Sequence, residues 1–291
     1  MGEAESSATS VDSNGGAGCL CQLVGSRWQI DSSTVLRLVT WNVNSLKARL
    51  PRVEQWLVEN GPEVICLQET KMKDQAFPAE VFSAMGYETA HHGQGQWNGV
   101  AILSKVGLED VVAGWDDDGP EDGDARILWA TCGGIRVASV YVPNGRALDD
   151  PHYTYKLGWL DRLRARLERR ESASTEVAVC GDFNICPDDR DLWSPEAWVG
   201  NTHVSEPERK ALRELEAWGL EDVYRRHHEE GGLYSFWDYR GGDFHQGRGL
   251  RIDLIMATAS LAARSTEARV DRDARKGEKP SDHAPVIAQF D

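Results

Sequence analysis

With 291 residues and 41% hydrophobic content, the chain is long enough for one large α/β domain and does not require division into two. No apolar run resembles the roughly 7–15 residues of a secretory signal or the about 20 of a membrane span, so the expectation is a soluble, cytoplasmic monomer with no membrane partner. A net charge of −15 argues against a phosphate-rich partner, since such affinity comes largely from lysine and arginine; the local field at a site decides, and a bound metal ion reverses its sign.

Residues 1–34, rich in Ser, Gly and Ala, are expected to be a disordered tail ahead of a catalytic domain at 35–291. Glu3, Glu5, Asp12 and Asp31 against Arg27 give the tail a net −3, which leaves −12 for the rest. Cys19 and Cys21 have no third or fourth ligand nearby, so no zinc site is expected there. Cys66 and Cys180 sit inside apolar runs and the six cysteines lack framework spacing, which favours reduced thiols. From residue 35, strand-length apolar runs recur at 36–43, 64–69, 99–104, 135–142, 177–183, 250–257 and 284–290. Helical patterns lie between them. Over 49–60, Leu50, Val53, Trp56 and Leu57 share a face before the stop at Gly61-Pro62; over 152–171, Leu157, Leu160, Leu163 and Leu167 do so; over 205–219, Ser205 and Glu208 form a capping box ahead of Leu212, Leu215 and Trp218.

Several strands end in a polar cluster: Asn42, Glu69, Tyr141 to Asn144, Asp182 to Asn184, Asp253, and Asp282-His283 ahead of the last strand. If these ends share one rim, they gather into an active site. Glu69 is a carboxylate anchored by a buried strand, with Asn42 and Asn44 offering neutral oxygens, a donor set that favours Mg2+ or Mn2+ over zinc. Gly181-Asp182-Phe183-Asn184 puts a carboxylate and an amide on one side of an extended chain, as needed to orient a water and accept its proton. Asp253 interrupts an apolar run and needs a partner once buried; His283 supplies one, its tautomer fixed and its protonated form stabilised.

LVTWNVNSL, CLQETK, VYVPNG, GDFN, SFWDYR, GLRIDL and SDHAPV resemble the ordered motifs of the exonuclease III and abasic-site endonuclease family, within the endonuclease/exonuclease/phosphatase superfamily, from about Val35 to the C-terminus. The resemblance implies a DNase I-like, four-layered α/β sandwich of two mixed β-sheets flanked by helices. It implies a metal-dependent DNA repair nuclease that degrades duplex DNA 3′ to 5′, incises 5′ to abasic sites and cleans 3′ ends; its partner is double-stranded DNA with abasic sites or 3′ ends. By the same resemblance Glu69 binds the metal with Asn42 beside it and Asp282 in support, Asp182 activates the attacking water with Asn184, and His283, oriented by Asp253, holds the scissile phosphate together with Tyr141. Asn144 adds a polar contact.

SFWDYR, followed by the Gly-rich GGDFHQGRG, reads as an exposed loop. The resemblance makes Phe236, Trp237 and Ile252 the walls of a pocket that admits a base-less sugar, with Tyr239 and Arg240 touching the duplex. Arg146, Lys71, Lys73, Arg248 and Arg251 lie near the motifs and are candidates for gripping phosphates, whereas the acidic run Asp116 to Asp124 is expected to be a solvated loop. Leu250 stands where some eukaryotic relatives carry tryptophan. Two rival readings are a catalytically dead DNA-binding protein, against which no metal ligand or histidine is missing, and a small-molecule phosphoesterase, which needs no aromatic DNA-facing loop.

Overall fold

The computed structural model describes residues 35–120 and 122–291, and the backbone of residues 21–24 and 27–30. In chain order the strands are β1 (Cys21–Val24), β2 (Arg27–Ile30), β3 (Leu36–Asn42), β4 (Val64–Gln68), β5 (Glu88–His92), β6 (Val100–Ser104), β7 (Glu109–Ala113), β8 (Ile127–Cys132), β9 (Ile135–Tyr141), β10 (Val177–Asp182), β11 (Leu220–Asp222), β12 (Asp253–Thr258), β13 (Ser265–Val270) and β14 (Val286–Phe290). Within the tail expected to be disordered, β1 and β2 pair antiparallel with Leu23 opposite Trp28. The remainder of that expectation lies outside the described residues.

Two mixed six-stranded sheets follow, in the orders β13-β14-β3-β4-β6-β5 and β11-β12-β10-β9-β8-β7. Side chains alternate across each strand, so β10 sends Ala178 and Cys180 into the core between the sheets and Val177 and Val179 outward. The outward face of the second sheet is covered by the helices Pro151–Arg170 and Glu206–Trp218 through Trp159, Leu163, Leu212 and Leu215. On the first sheet, the helix Leu46–Asn60 buries Val53, Trp56 and Leu57 against Val39 and Ile65, each such side chain contributing about 1.5–3 kcal/mol. Helix, sheet, sheet, helix is the four-layered α/β sandwich expected from the motifs. The capping box of Ser205 and Glu208 is present, and the helix Leu46–Asn60 ends on Gly61 at φ 52, a left-handed cap that suits glycine.

Register carries the polar strand ends to one rim. Asp182 stands opposite Tyr141 on its parallel neighbour β9 and opposite Asp253 on its antiparallel neighbour β12. In the other sheet Asn42 pairs with Gln68, one residue before Glu69, and antiparallel β14 begins opposite Thr40, so the segment 281–283 leading into it lies beside Asn42.

Candidate active site

Asn42 is the hub. Its Nδ2 donates to Glu69 Oε1 at 2.8 Å and to Asp182 Oδ2 at 3.0 Å, while its Oδ1 accepts the Asn44 backbone N–H at 3.0 Å. One amide thus ties a carboxylate of the first sheet to a carboxylate of the second. Lys71 Nζ lies 2.6 Å from Glu69 Oε2, and Asn44 Nδ2 donates to Asp282 Oδ1 at 3.0 Å. Glu69, Lys71, Asn44, Ser45 and Asn184 all hold positive φ, at 52, 51, 41, 83 and 51°. Strained non-glycine residues persist only where their surroundings over-determine them; here Ser45 N donates to Glu69 O at 2.7 Å and Lys71 N to Asn98 O at 2.9 Å. Gly181 of the GDFN motif is obligatory, because a Cβ there would meet Val140 O at 1.8 Å.

His283 Nδ1 is 2.9 Å from Asp253 Oδ2, and its Nε2 is 3.8 Å from Asp182 Oδ2. Burial lowers an imidazole's pKa, but the charges of Asp253 and Asp182 and the hydrogen bond to Asp253 outweigh it and raise His283 to about 10. The ring is therefore an imidazolium at neutral pH, with Nε2–H aimed into the site. Burial also pushes Asp182 up to about 7, with Asp253 and Glu69 adding to the rise and His283 opposing it. Burial raises the Glu69 carboxyl too, yet Lys71 and the Asn42 hydrogen bond overcome this and hold it below its ordinary value. Tyr141 remains a phenol, its pKa driven well up by burial and by the charges of Glu69 and Asp182. Asn184 donates its backbone N–H to Asp182 Oδ1 at 2.8 Å and its side chain to Val142 O at 2.9 Å, and receives Asn144 Nδ2 at 3.1 Å.

One ligand atom each from Glu69, Asp182 and His283 lie within 4.8 Å of one another. Two carboxylates face this point, with Asp253 behind His283, and burial together with the neighbouring charges of Asp253 and Glu69 drives Asp182 toward protonation; Asp253 Oδ1 is buried with no partner. The donor set fits a hard divalent cation held through carboxylate oxygen. Asn42 turns its nitrogen toward both carboxylates, so it holds them in place. Asp282 lies one hydrogen bond outward, through Asn44.

The SFWDYR segment departs from the expected exposed loop. Trp237 is buried, as is Ser235, and only the tip at Tyr239 and Arg240 is exposed. Phe236 and Trp237 point to opposite sides. The Phe236 ring sits 4.8 Å from His283 and joins an apolar cluster with Leu250, Ile252 and Cys186. Trp237 packs behind the loop against Phe244 at 5.2 Å, on a separate cavity of about 350 Å³. Alternation along an extended chain explains the split: consecutive side chains cannot face one pocket. Arg251 is likewise no phosphate grip, being buried between Asp191 at 2.6 Å and Asp222 at 2.7 Å. Arg240 is held by Asp238, Arg248 by Asp243, and Arg146 lies 4.0 Å from Asp150. The acidic run is no free solvated loop, since Arg162 and Arg169 grip Asp117 and Arg166 and Arg170 grip Asp116.

Sequence reasoning also passes over residues the site uses. Ser281 Oγ bonds Asn42 O at 2.7 Å and receives His283 N at 3.2 Å; Arg126 lies 4.8 Å over the Tyr141 ring; and His203, kept neutral by burial, is 3.4 Å from Asn144. Only Ser281, inside the SDH motif, stood next to a visible signal.

A model of the endonuclease/exonuclease/phosphatase family matches residues 39–283. The exodeoxyribonuclease III of Haemophilus influenzae is 34% identical over 267 residues, spanning 88% of this chain and 100% of its own. Among solved structures, an AP endonuclease from Archaeoglobus fulgidus superposes with a TM-score of 0.85 at 39% identity, covering 88% of this chain and 99% of that one. The 3′ phosphatase NExo from Neisseria, solved bound to a product DNA hairpin, gives 0.84 at 42% identity, with 88% and 99% covered. The polar rim built by Asn42, Glu69, Asp182 and His283 therefore stands on a frame shared with these relatives over nearly their whole length, and the chain belongs to the endonuclease/exonuclease/phosphatase family, in its exodeoxyribonuclease III branch.

Proposed function

We propose that the protein is a Mg2+-dependent DNA repair nuclease, Mn2+ being the alternative ion, that hydrolyses phosphodiesters at 3′ ends and on the 5′ side of abasic sites in duplex DNA. The observation that carries this reading is an imidazolium, a high-pKa carboxylate and a metal-type carboxylate converging within 4.8 Å beside an apolar wall of Phe236, Leu250 and Ile252. Nucleases of this family require a divalent metal, and Glu69, its carboxylate fixed by Asn42, is the residue that would hold it. Such an ion supplies positive charge against the phosphate and polarises its oxygens.

The chain's own groups complete the chemistry. Asp182, held by the Asn42 side chain and the Asn184 backbone N–H, is placed to accept a proton from water. Asn184, locked to Asp182 and Val142, restricts where that water sits. The oxygen attacks phosphorus, the bond to the leaving oxygen breaks, and the imidazolium of His283 with the phenol of Tyr141 donates to the phosphoryl oxygens as charge builds on them. The Phe236 wall suits a sugar without its base, since an apolar pocket has no partner for a base's polar edge.

Glu69→Ala is expected to lower turnover on an abasic duplex by about a thousandfold or more while leaving the fold intact, because charge stabilisation is a large share of phosphoryl-transfer catalysis. Circular dichroism and a chelator control accompany the assay. Near-wild-type rates in the folded variant would remove the metal assignment.

A further inference from the structure

Behind the site lies a buried ion pair that the chemistry above does not use. Lys156, on the helix Pro151–Arg170, and Glu208, on the helix Glu206–Trp218, are both 0% exposed and in direct contact. Lys156 Nζ also reaches the backbone carbonyls of Asn184 at 2.7 Å and Asn144 at 3.3 Å. Glu208 receives Thr202 Oγ1 at 2.7 Å, His203 N at 2.9 Å and Ser205 N at 3.0 Å. Three loops thus meet at one charge pair: the one carrying Asn144, the one carrying Asn184, and the segment 202–205. The Asn144 loop sits directly on it, since a Cβ on Gly145 would meet Thr202 Oγ1 at 2.8 Å and Lys156 Cδ at 3.1 Å.

Stability alone does not account for the pair. Desolvating two ions costs several kcal/mol each, and well-packed apolar residues of similar volume do as well or better. An ammonium, however, donates in three directions, and here two of them end on the backbone of the two asparagines whose side chains meet beside Asp182. Burial lowers Lys156, and the charge of Glu208 opposes that fall; Glu208 itself is held below its ordinary value by Lys156 and its hydrogen bonds against the rise due to burial.

We propose that Lys156 and Glu208 are positioning residues for the hydrolysis: by clamping the carbonyls of Asn184 and Asn144 they fix the asparagine pair that orients the attacking water next to Asp182. The proposal rests on the nuclease reading.

The test is a double-mutant cycle on the full chain with Mg2+ and a blunt DNA duplex under single turnover. Lys156→Met is expected to slow the chemical step by about 10–100-fold, the range seen when partners that orient metal-site ligands are removed, with the half-saturating enzyme concentration changed by less than about threefold. In an Asn184→Ala background the same change is expected to cost less than about threefold, because residues acting through one another are non-additive. Equal losses in both backgrounds, or an unchanged rate in folded Lys156→Met, would overturn the proposal. If Lys156→Met does not fold, Glu208→Gln is put through the same cycle with the same two outcomes. A second readout is independent of turnover: the side-chain amide protons of Asn144 and Asn184 in 15N-labelled protein are expected to exchange faster in the variant. Unchanged exchange overturns the clamp even if the wild type proves inactive on DNA, so a failure of the nuclease reading remains distinguishable.

Discussion

His283 shows how a single side chain is tuned here. Burial by itself would leave a neutral ring, and the opposite state follows because Asp253 bonds Nδ1 at 2.9 Å while Asp182 lies 3.8 Å from Nε2. The sign of a substitution follows from that balance. In the metal-free protein, 15N spectra are expected to show a doubly protonated His283 at pH 8, deprotonating only at about pH 10. In Asp253→Asn the largest raising charge is gone and burial remains, so the ring is expected to titrate at markedly lower pH. A neutral His283 at pH 8 in the wild type would contradict the electrostatic argument. At this scale the sequence was informative: Asp253 inside LRIDLI and His283 inside SDH could be paired by reasoning, because a carboxylate in an apolar run demands a partner. The ring of support was not legible. Ser281, Arg126 and His203 reach the site through backbone carbonyls, ring faces and loop packing, none of which leaves a spacing signature.

The apolar runs that cross the sheet centres, β3, β4, β6, β9, β10 and β14, are legible within a residue or two, since burial on both faces makes them continuous. The same criterion misses β5, β7, β11 and β13, which are the sheet edges and carry polar residues such as Glu88, Glu109, Glu221 and Glu267; it also misses buried β8, whose hairpin to β9 turns on Gly133 and Gly134 at φ 57 and 87°. It starts β12 too early as well: residues 250–252 precede the strand, with Leu250 bridging to Phe236 and to Leu192. The SFWDYR segment is bound down from behind, as Arg275 bonds the carbonyls of Ser281 and Trp237 and lies 5.4 Å from the Tyr239 ring and 4.9 Å from the Phe244 ring. Under the proposed function, discrimination is therefore expected to rest with Phe236 and stability with Trp237. Phe236→Ala is expected to retain hydrolysis of a generic diester and to narrow the ratio of kcat/KM between abasic and intact duplexes. Trp237→Ala is expected to lower stability by about 3–5 kcal/mol, the cost of emptying a buried aromatic site, measured by urea denaturation. A narrowed ratio in Trp237→Ala with Phe236→Ala unaffected would reverse the assignment.

At the scale of the whole molecule the open question is how a chain of net charge −15 holds a polyanion. Counting basic residues near the motifs suggests several phosphate grips, but ion pairing removes most of them: Lys71 is committed to Glu69, Arg240 to Asp238, Arg248 to Asp243, and Arg251 to Asp191 and Asp222. The surface around the site also offers exposed aromatic rings. Trp97 is 64% exposed on the loop whose Asn98 carbonyl holds Lys71, Trp193 is 41% exposed where its N–H meets Gly249, and Tyr239 is 47% exposed at the loop tip. Contacts of that kind release no counterions, whereas each neutralised phosphate contributes about −0.9 to the slope of log K against log salt concentration. The slope for binding a duplex, measured with catalysis blocked by Asp182→Asn, is therefore expected to be shallow, about −3 or less steep, corresponding to no more than roughly three phosphates. Trp97→Ala is expected to weaken binding while leaving that slope unchanged, because it removes contact area and no charge. A slope of about −6 or steeper would mean that the intramolecular ion pairs open on DNA and hand their arginines to the phosphates, and the apolar account of affinity would then fail.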